Sequence, residues 1–330
     1  MADLATKYMG LELKNPLIAG SCGITSKVED IIQLEQAGIA AVVLKSIFEE
    51  EILNEASFDL KEAENNKFIY TQLSETLDYI DVHTKEKRFS NYLNLIKEAK
   101  SKTLIPIIAS INCITDSEWI EYAAKIESAG ADAIELNIAL SPMDINLKDA
   151  DKIIIRIIKK VLKAVKIPVA VKIGECFTNL AGTILEIDSS GVAGIVLFNR
   201  FYSPDIDIYN LDIVTGRKLS CDTDYLKPLR WIALMSDRIK CSIAASTGIQ
   251  DSNTAIKQIL AGADAVQIVS AIYLNGKEYI TEILTGIEKW MFEKGIFSVQ
   301  QFKGLASYKK ATNPSVYERI QFMKYYGRIV

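Results

Sequence analysis

The sequence predicts an α/β fold, a TIM (β/α)8 barrel, and three observations carry the prediction. Eight short, β-rich apolar runs alternate with amphipathic stretches, which is the pattern of parallel βα units. A weak repeat, AGIAAVVLKS, AGADAIELNI, SGVAGIVLFN and AGADAVQIVS, places Gly38, Gly130, Gly191 or Gly262 between a helix and the next strand, where glycine closes a helix in a left-handed conformation without steric penalty. The length of 330 residues suits one barrel of roughly 250 residues with insertions.

Taken in order, the strands are PLIAGS (16–21), AAVVLKS (40–46), IPIIASIN (105–112), ADAIELNI (131–138), PVAVKIG (168–174), AGIVLFN (193–199), CSIAAS (241–246) and DAVQIVS (264–270). Eight units favour closure over a doubly wound open sheet, and the turn after the first strand lacks the GxGxxG of a dinucleotide site. The connection at 47–104, after the second strand, is acidic and polar, and contains neither Gly nor Pro. Within it TQLSETLDYI and FSNYLNLIKEA read as helices, so it is expected to be a structured cap over the barrel mouth. No linker or low-complexity tract divides the chain, so 1–330 is expected to form a single domain. The tail from Gly295 onward, aromatic and basic by turns, is expected to pack under the barrel or on a partner subunit.

Composition narrows the function. A hydrophobic content of 49% and a mean hydropathy of +0.13 fit strands buried on both faces. No apolar run approaches the roughly 20 residues of a membrane span, and MADLATKYMG lacks the basic start and apolar core of a signal peptide. The expectation is a cytoplasmic protein without membrane attachment. The five cysteines form no CxxC pair and His83 is the single histidine, which argues against a metal site. A net charge of −4 offers no basic field for nucleic acid, leaving a small molecule as the expected substrate.

Barrel enzymes carry their chemistry at the C-terminal ends of the strands. Here those ends read Ser21, Lys45 with Ser46, Asn112, Asn137, Lys172, Asn199, Ser246 to Gly248, and Ser270. Any one of them read alone is equally a solvated cap, but barrel closure brings two lysines and three asparagines to one mouth. Lys172 and Lys45 each admit two readings. One is a lysine snorkelling to the rim; the other is a fixed cation beside a group that becomes anionic, or a Schiff-base amine. AASTGI after the seventh strand and IVSA after the eighth supply backbone N–H groups for an anion, where barrels often hold phosphate. A side chain at Gly248 is expected to crowd such a phosphate.

These residues together resemble the dihydroorotate dehydrogenase family, most closely its soluble class 1 branch. The resemblance runs through KNPLIAGSCGIT, VVLKS, ELNIALSP, PVAVKIG, VLFN, AASTGI with DAVQIVSA, and VQQFKG. It implies a flavin mononucleotide (FMN) barrel of the pyrimidine biosynthesis pathway. Ser21, Gly23, Lys45, Ser46 and Asn112 would then lie by the flavin, while Asn137 and Asn199 would reach substrate or flavin amide groups. Lys172 would stabilise the anionic reduced ring, and Ser246, Thr247, Gly248 and Ser270 would hold the phosphate, although family glycines are replaced at Ser246 or its neighbour and at Val269. The implied reaction takes dihydroorotate to orotate, with hydride passing to flavin N5, a proton passing to a base at Ser141, and a soluble acceptor removing the electrons from a homodimer.

Two departures bear on the substrate. The family run Asn-Leu-Ser-Cys-Pro-Asn appears as Asn137-Ile138-Ala139-Leu140-Ser141-Pro142-Met143-Asp144, one residue longer, with Cys113 as the reserve base. The loop that grips orotate is replaced by DVHTKEKR (81–88), which brings His83, Lys85, Lys87 and Arg88 to that area. Alternatives therefore stand beside dihydroorotate: another cyclic amide or unsaturated acid, a catalytically lapsed flavin-binding subunit, or a non-redox Schiff-base or sugar-phosphate barrel.

Overall fold

The computed structural model describes residues 2–48, 73–112, 116–138, 149–201 and 203–319. An antiparallel hairpin of β1 (Thr6–Tyr8) and β2 (Leu11–Leu13) precedes β3 (Leu17–Ala19), α1 (Val28–Gln36), β4 (Ala41–Val43) and the short β5 (Ile47–Phe48). There follow α2 (Leu73–Lys102), β6 (Ile107–Asn112), α3 (Asp116–Ser128), β7 (Ala133–Asn137), α4 (Ala150–Ala164), β8 (Val169–Ile173), α5 (Leu180–Ser189) and β9 (Gly194–Leu197). A second hairpin, β10 (Pro204–Asp207) and β11 (Asp212–Thr215), leads to α6 (Leu226–Met235), β12 (Ser242–Ser246), α7 (Ser252–Ala261) and β13 (Ala265–Ile268). The chain continues through α8 (Ser270–Asn275), α9 (Tyr279–Lys294), α10 (Val299–Phe302) and α11 (Ser315–Glu318).

The order β3-β4-β6-β7-β8-β9-β12-β13 returns to β3, and every step is parallel. This is the eight-stranded barrel expected, with all eight strands in the expected runs. The four repeat glycines have φ between +92° and +122°, so each occupies the left-handed turn inferred for it.

Alternation along the strands sorts the core into two shells. Residues such as Leu17, Val42, Ile107, Ile134, Val171, Ile195 and Val266 face outward and pack with the surrounding helices. Their neighbours Ile18, Ala41, Val43, Ile108, Ala133, Ala170, Val196, Ala244 and Ala265 face inward and form a separate cluster with Tyr8, Met9 and Leu13 of the first hairpin. The alanines explain the plug: small interior side chains leave volume at the N-terminal end that Tyr8 and Met9 fill. Gly194 leaves the same room, since a Cβ there would stand 3.0 Å from Met9 Cγ. Burial, then the field of Glu135, pushes the Tyr8 phenol well above its usual pKa.

The two helical segments expected in the connection at 47–104 belong to one helix where they are described, α2; residues 49–72 lie outside the described residues. Phe89, Tyr92, Ile96 and Ala99 are buried, with Phe89 stacked on Tyr122 at 4.1 Å between ring centroids. Tyr92 OH donates to Ser110 O (3.0 Å) and accepts from Ser110 N (2.8 Å), which ties the helix to β6. The described part of the tail, residues 295–319, packs beneath the barrel: Gly304 N and Ala306 N donate to Ile259 O and Leu260 O, and Lys303 pairs with Asp264, just before β13.

Candidate active site at the barrel mouth

The interior positions climb each strand in steps of two. Above the alanine layer, that step brings Ser110, Glu135, Lys172, Ser246 and Gln267 inward, and all five are buried. A buried ammonium is costly unless it is paired and hydrogen-bonded. Lys172 meets both needs, since Nζ donates to Gln267 Oε1 at 3.0 Å and lies 3.7 Å from Glu135 Oε1. Gln267 Nε2 in turn donates to Glu135 Oε2 at 2.6 Å. The Gln267 amide is thereby oriented, oxygen toward the cation and nitrogen toward the carboxylate.

Beside this floor runs a chain of neutral groups. Ser46 N donates to Ser21 Oγ (2.8 Å), and Ser46 Oγ lies 3.1 Å from Ser21 Oγ and 2.7 Å from Ser110 Oγ. Asn137 Nδ2 donates to Ser46 Oγ (3.4 Å), while Asn199 Nδ2 donates to Asn137 Oδ1. The two carboxamides therefore meet above the end of β8, which lies between their strands, and Asn137 is held in turn by the Ser46 hydroxyl.

The loops after β12 and β13 form the third group. Thr247 and Gly248 are consecutive residues at φ +79° and +80°, and Thr247 Oγ1 donates to Phe198 O at 3.0 Å. The constraint on Gly248 differs from the one expected: a Cβ there would stand 2.1 Å from Tyr225 N, so the neighbouring backbone requires the glycine. Ser270 Oγ accepts from Ser220 N (3.0 Å) and from Ser220 Oγ (2.9 Å). Gln250 Nε2 fixes Ser220 by donating to its carbonyl (2.8 Å) and its hydroxyl (3.0 Å). With both lone pairs of Ser270 engaged, its own O–H is left as a donor.

All three groups line one cavity of about 710 Å3, within the range of small-molecule sites. Ten of the residues expected from sequence meet there: Ser21, Lys45, Ser46, Asn137, Lys172, Asn199, Ser246, Thr247, Gly248 and Ser270. Gly23 and Asn112 are not among its lining residues, and Ser141 and Cys113 lie outside the described residues. Segment 81–88 falls within α2, whose Arg88 lines an adjoining cavity of about 240 Å3 with Lys45 and Ser46; the side chains of His83, Lys85 and Lys87 lie outside the described residues.

Sequence reasoning missed Glu135, Gln267, Arg200, Lys218, Ser220 and Tyr273 in the lining. A signal existed for the first two. Glu135 and Gln267 each interrupt an apolar run at an inward step, as Lys172 does. Lys218 and Ser220 follow the second hairpin, and Arg200 ties that segment down by donating to the carbonyls of Arg217 and Lys218; no periodicity marks such a loop.

A sequence profile of the family described as dihydroorotate dehydrogenase matches residues 3–291. The chain belongs to the dihydroorotate dehydrogenase family. Among curated relatives, it is similar to the putative dihydroorotate dehydrogenase A (fumarate) of Aeropyrum pernix, 27% identical over 228 residues, which is 66% of this chain and 73% of that protein. It is also similar to the catalytic subunit of dihydroorotate dehydrogenase B (NAD(+)) of Thermoplasma volcanium, 26% identical over 93% of this chain and 99% of the relative. The corresponding subunit of Methanothermobacter thermautotrophicus is 25% identical over 92% and 98%. The family is thus one of oxidoreductases on the barrel described above, and among the described residues no helix is long and apolar enough to cross a membrane.

Proposed function

We propose that this chain is a cytoplasmic, FMN-dependent oxidoreductase that converts dihydroorotate to orotate. The observation that carries the reading is the meeting, in one cavity of a family member, of the Lys172 cation, the paired Asn137 and Asn199 amides, and a Ser270 hydroxyl left as a donor. The residues fit the cofactor on chemical grounds. Side-chain amides offer both a donor and an acceptor to a heterocycle edge or a substrate amide; an ammonium answers a ring that gains negative charge; and a directed hydroxyl with nearby backbone N–H groups answers a phosphate.

Bound in this cavity, FMN supplies a two-electron, hydride-accepting centre. The chain's part is to orient and to handle charge and protons. Lys172 stabilises negative charge on the reduced ring, preorganised by Gln267 and Glu135 so that little rearrangement is needed at the moment of reaction. Asn137 and Asn199 orient the substrate, with Lys45 at the rim, while Ser246, Thr247 and Ser270 hold the phosphate end. Ser21 and Ser46 complete the shell around the ring, and Gly23 and Asn112, which do not line the cavity, take no part in it. Ser141 takes the proton from the carbon next to the one that loses hydride, and a soluble acceptor then removes the electron pair.

A lysine donating to Gln267 and facing Glu135 is in the setting of an ammonium, which favours this reading over a Schiff-base barrel. Replacement of the orotate-gripping loop by 81–88 keeps a second reading within the same chemistry, another cyclic amide or unsaturated acid. The exposed apolar face of the β10–β11 hairpin supports a homodimer.

The deciding experiment is anaerobic stopped-flow reduction of the purified yellow protein by dihydroorotate, with Ser141→Ala and Cys113→Ala alongside. The parent and Cys113→Ala should bleach, and Ser141→Ala should keep its flavin but lose reduction almost entirely. A colourless protein that takes up no added FMN sinks the flavin reading. A yellow parent inert to dihydroorotate sinks the substrate, and a fast Ser141→Ala sinks the base.

A further inference from the structure

The Lys172 ammonium has a fixed companion. Glu135 is 1% exposed, yet it lines the cavity. Its Oε2 is engaged by Gln267, while Oε1 has no hydrogen-bond partner among the described residues and lies 3.7 Å from Lys172 Nζ. We propose that Glu135 is the built-in counter-ion of Lys172, a positioning residue that sets how much positive charge the cavity floor presents to a ligand above it. The proposal rests on the flavin reading of the same cavity.

The physical case begins with the cost of the group. A buried carboxylate with one oxygen unsatisfied is destabilising by itself, and Gln267 alone already gives Lys172 an acceptor at 3.0 Å. What the carboxylate adds is charge. A lone cation on the floor would project a full unit charge upward, whereas a Lys–Glu pair projects a dipole whose field falls off faster. In a site of low effective dielectric, one charge several ångströms away changes an equilibrium on the order of tenfold or more. Glu135 therefore damps the field felt by a reduced, anionic ring and holds the potential of the bound cofactor below the value that Lys172 alone would give.

Geometry makes the three residues one unit. Glu135, Lys172 and Gln267 stand on β7, β8 and β13, and the oriented Gln267 amide spans from the cation to the carboxylate. Gln267 thus transmits no charge of its own but fixes where the two charges sit.

The test uses the flavin-loaded protein and its Glu135→Gln variant, which keeps the shape and an acceptor for Gln267 while removing the charge. Sulfite titration followed by flavin absorbance reports the electron demand of the ring without turnover. We expect sulfite to bind Glu135→Gln on the order of tenfold more tightly than the parent, with the midpoint potential shifted to a more positive value. Unchanged or weaker sulfite binding overturns the proposal. A second arm measures urea unfolding of Lys172→Met, Glu135→Gln and the double variant without flavin. Lys172→Met should be the least stable, because it leaves a buried carboxylate unpaired, and the double variant should recover part of the loss; strict additivity overturns the pairing. Flavin uptake, read first by colour, reports separately on the reading of the site, and the unfolding cycle judges the ion pair whether or not flavin binds.

Discussion

On the floor of the cavity, Glu135, Lys172 and Gln267 come from three strands and are sealed to 8% exposure or less. At the rim, Lys45 and Lys218 are exposed, and Lys218 and Ser220 belong to the segment after the β10–β11 hairpin. The floor is held by groups that satisfy one another, so its geometry is set before any ligand arrives. The rim takes its shape from loops, where relatives of one barrel differ and where specificity resides. In the function proposed above, electronic tuning falls to the first region and recognition of the ligands to the loops of the second.

The largest effect that would sharpen this contrast is Lys172→Ala. It should slow flavin reduction on the order of a hundredfold or more while changing flavin affinity far less, because the cation matters most once the ring is anionic. Stopped-flow reduction beside a flavin titration separates the two, and a variant that binds FMN much more weakly but, once saturated with it, is reduced at the parent's rate would reverse the division between floor and rim.

That division also explains how far the sequence could be read. The strands were legible because both faces are buried, giving runs such as PVAVKIG and AGIVLFN, and the polar strand ends followed from them; ten expected residues meet in one cavity. Glu135 escaped notice because a charge inside ELN reads as one more polar strand end, when its alternation with Asn137 points it inward. The β1–β2 plug was missed because its strands have three residues each, too short for alternation to show. The β10–β11 hairpin was missed because its apolar residues face outward, against the pattern by which strands are recognised. The need for Gly248 was legible, but its cause, the backbone of residues 224–225, arises from a contact 23 positions away in sequence.

Gly248→Ala tests the seam where the phosphate loop meets that backbone. A Cβ placed 2.1 Å from Tyr225 N at φ +80° requires backbone movement, with an expected loss of about 2 kcal/mol in stability. Urea unfolding of the flavin-free protein measures it. A loss seen in flavin affinity alone, with unfolding unchanged, would return the glycine to the phosphate.

A smaller and more local effect is expected at Ser270. Ser270→Ala deletes the directed hydroxyl and leaves Ser220 N without its acceptor, so FMN should bind roughly tenfold more weakly, the scale of one hydrogen bond to a charged group. Binding of riboflavin, which lacks the phosphate, should change little. Equal weakening of both ligands would place the phosphate elsewhere on the rim.

The smallest effect on the site, and the sharpest on assembly, is expected from the β10–β11 hairpin. Its register pairs Ile206 with Ile213 on one face, and the turn that joins the strands adds Ile208 and Leu211. These four are between 67% and 86% exposed, while Asp205, Asp207 and Asp212 fall on the opposite face. A two-stranded ribbon is marginal alone in water, and an exposed apolar face of this kind marks an interaction surface. In the homodimer proposed above, that face is the contact. Ile213→Lys should therefore convert the dimer to a monomer in sedimentation equilibrium, because the lysine would have to be buried against a second apolar face. Flavin content should stay unchanged, and unfolding of the isolated chain should move by no more than about 0.5 kcal/mol. A parent that sediments as a monomer at micromolar concentration removes the homodimer, and an Ile213→Lys variant that stays dimeric moves the interface to another face.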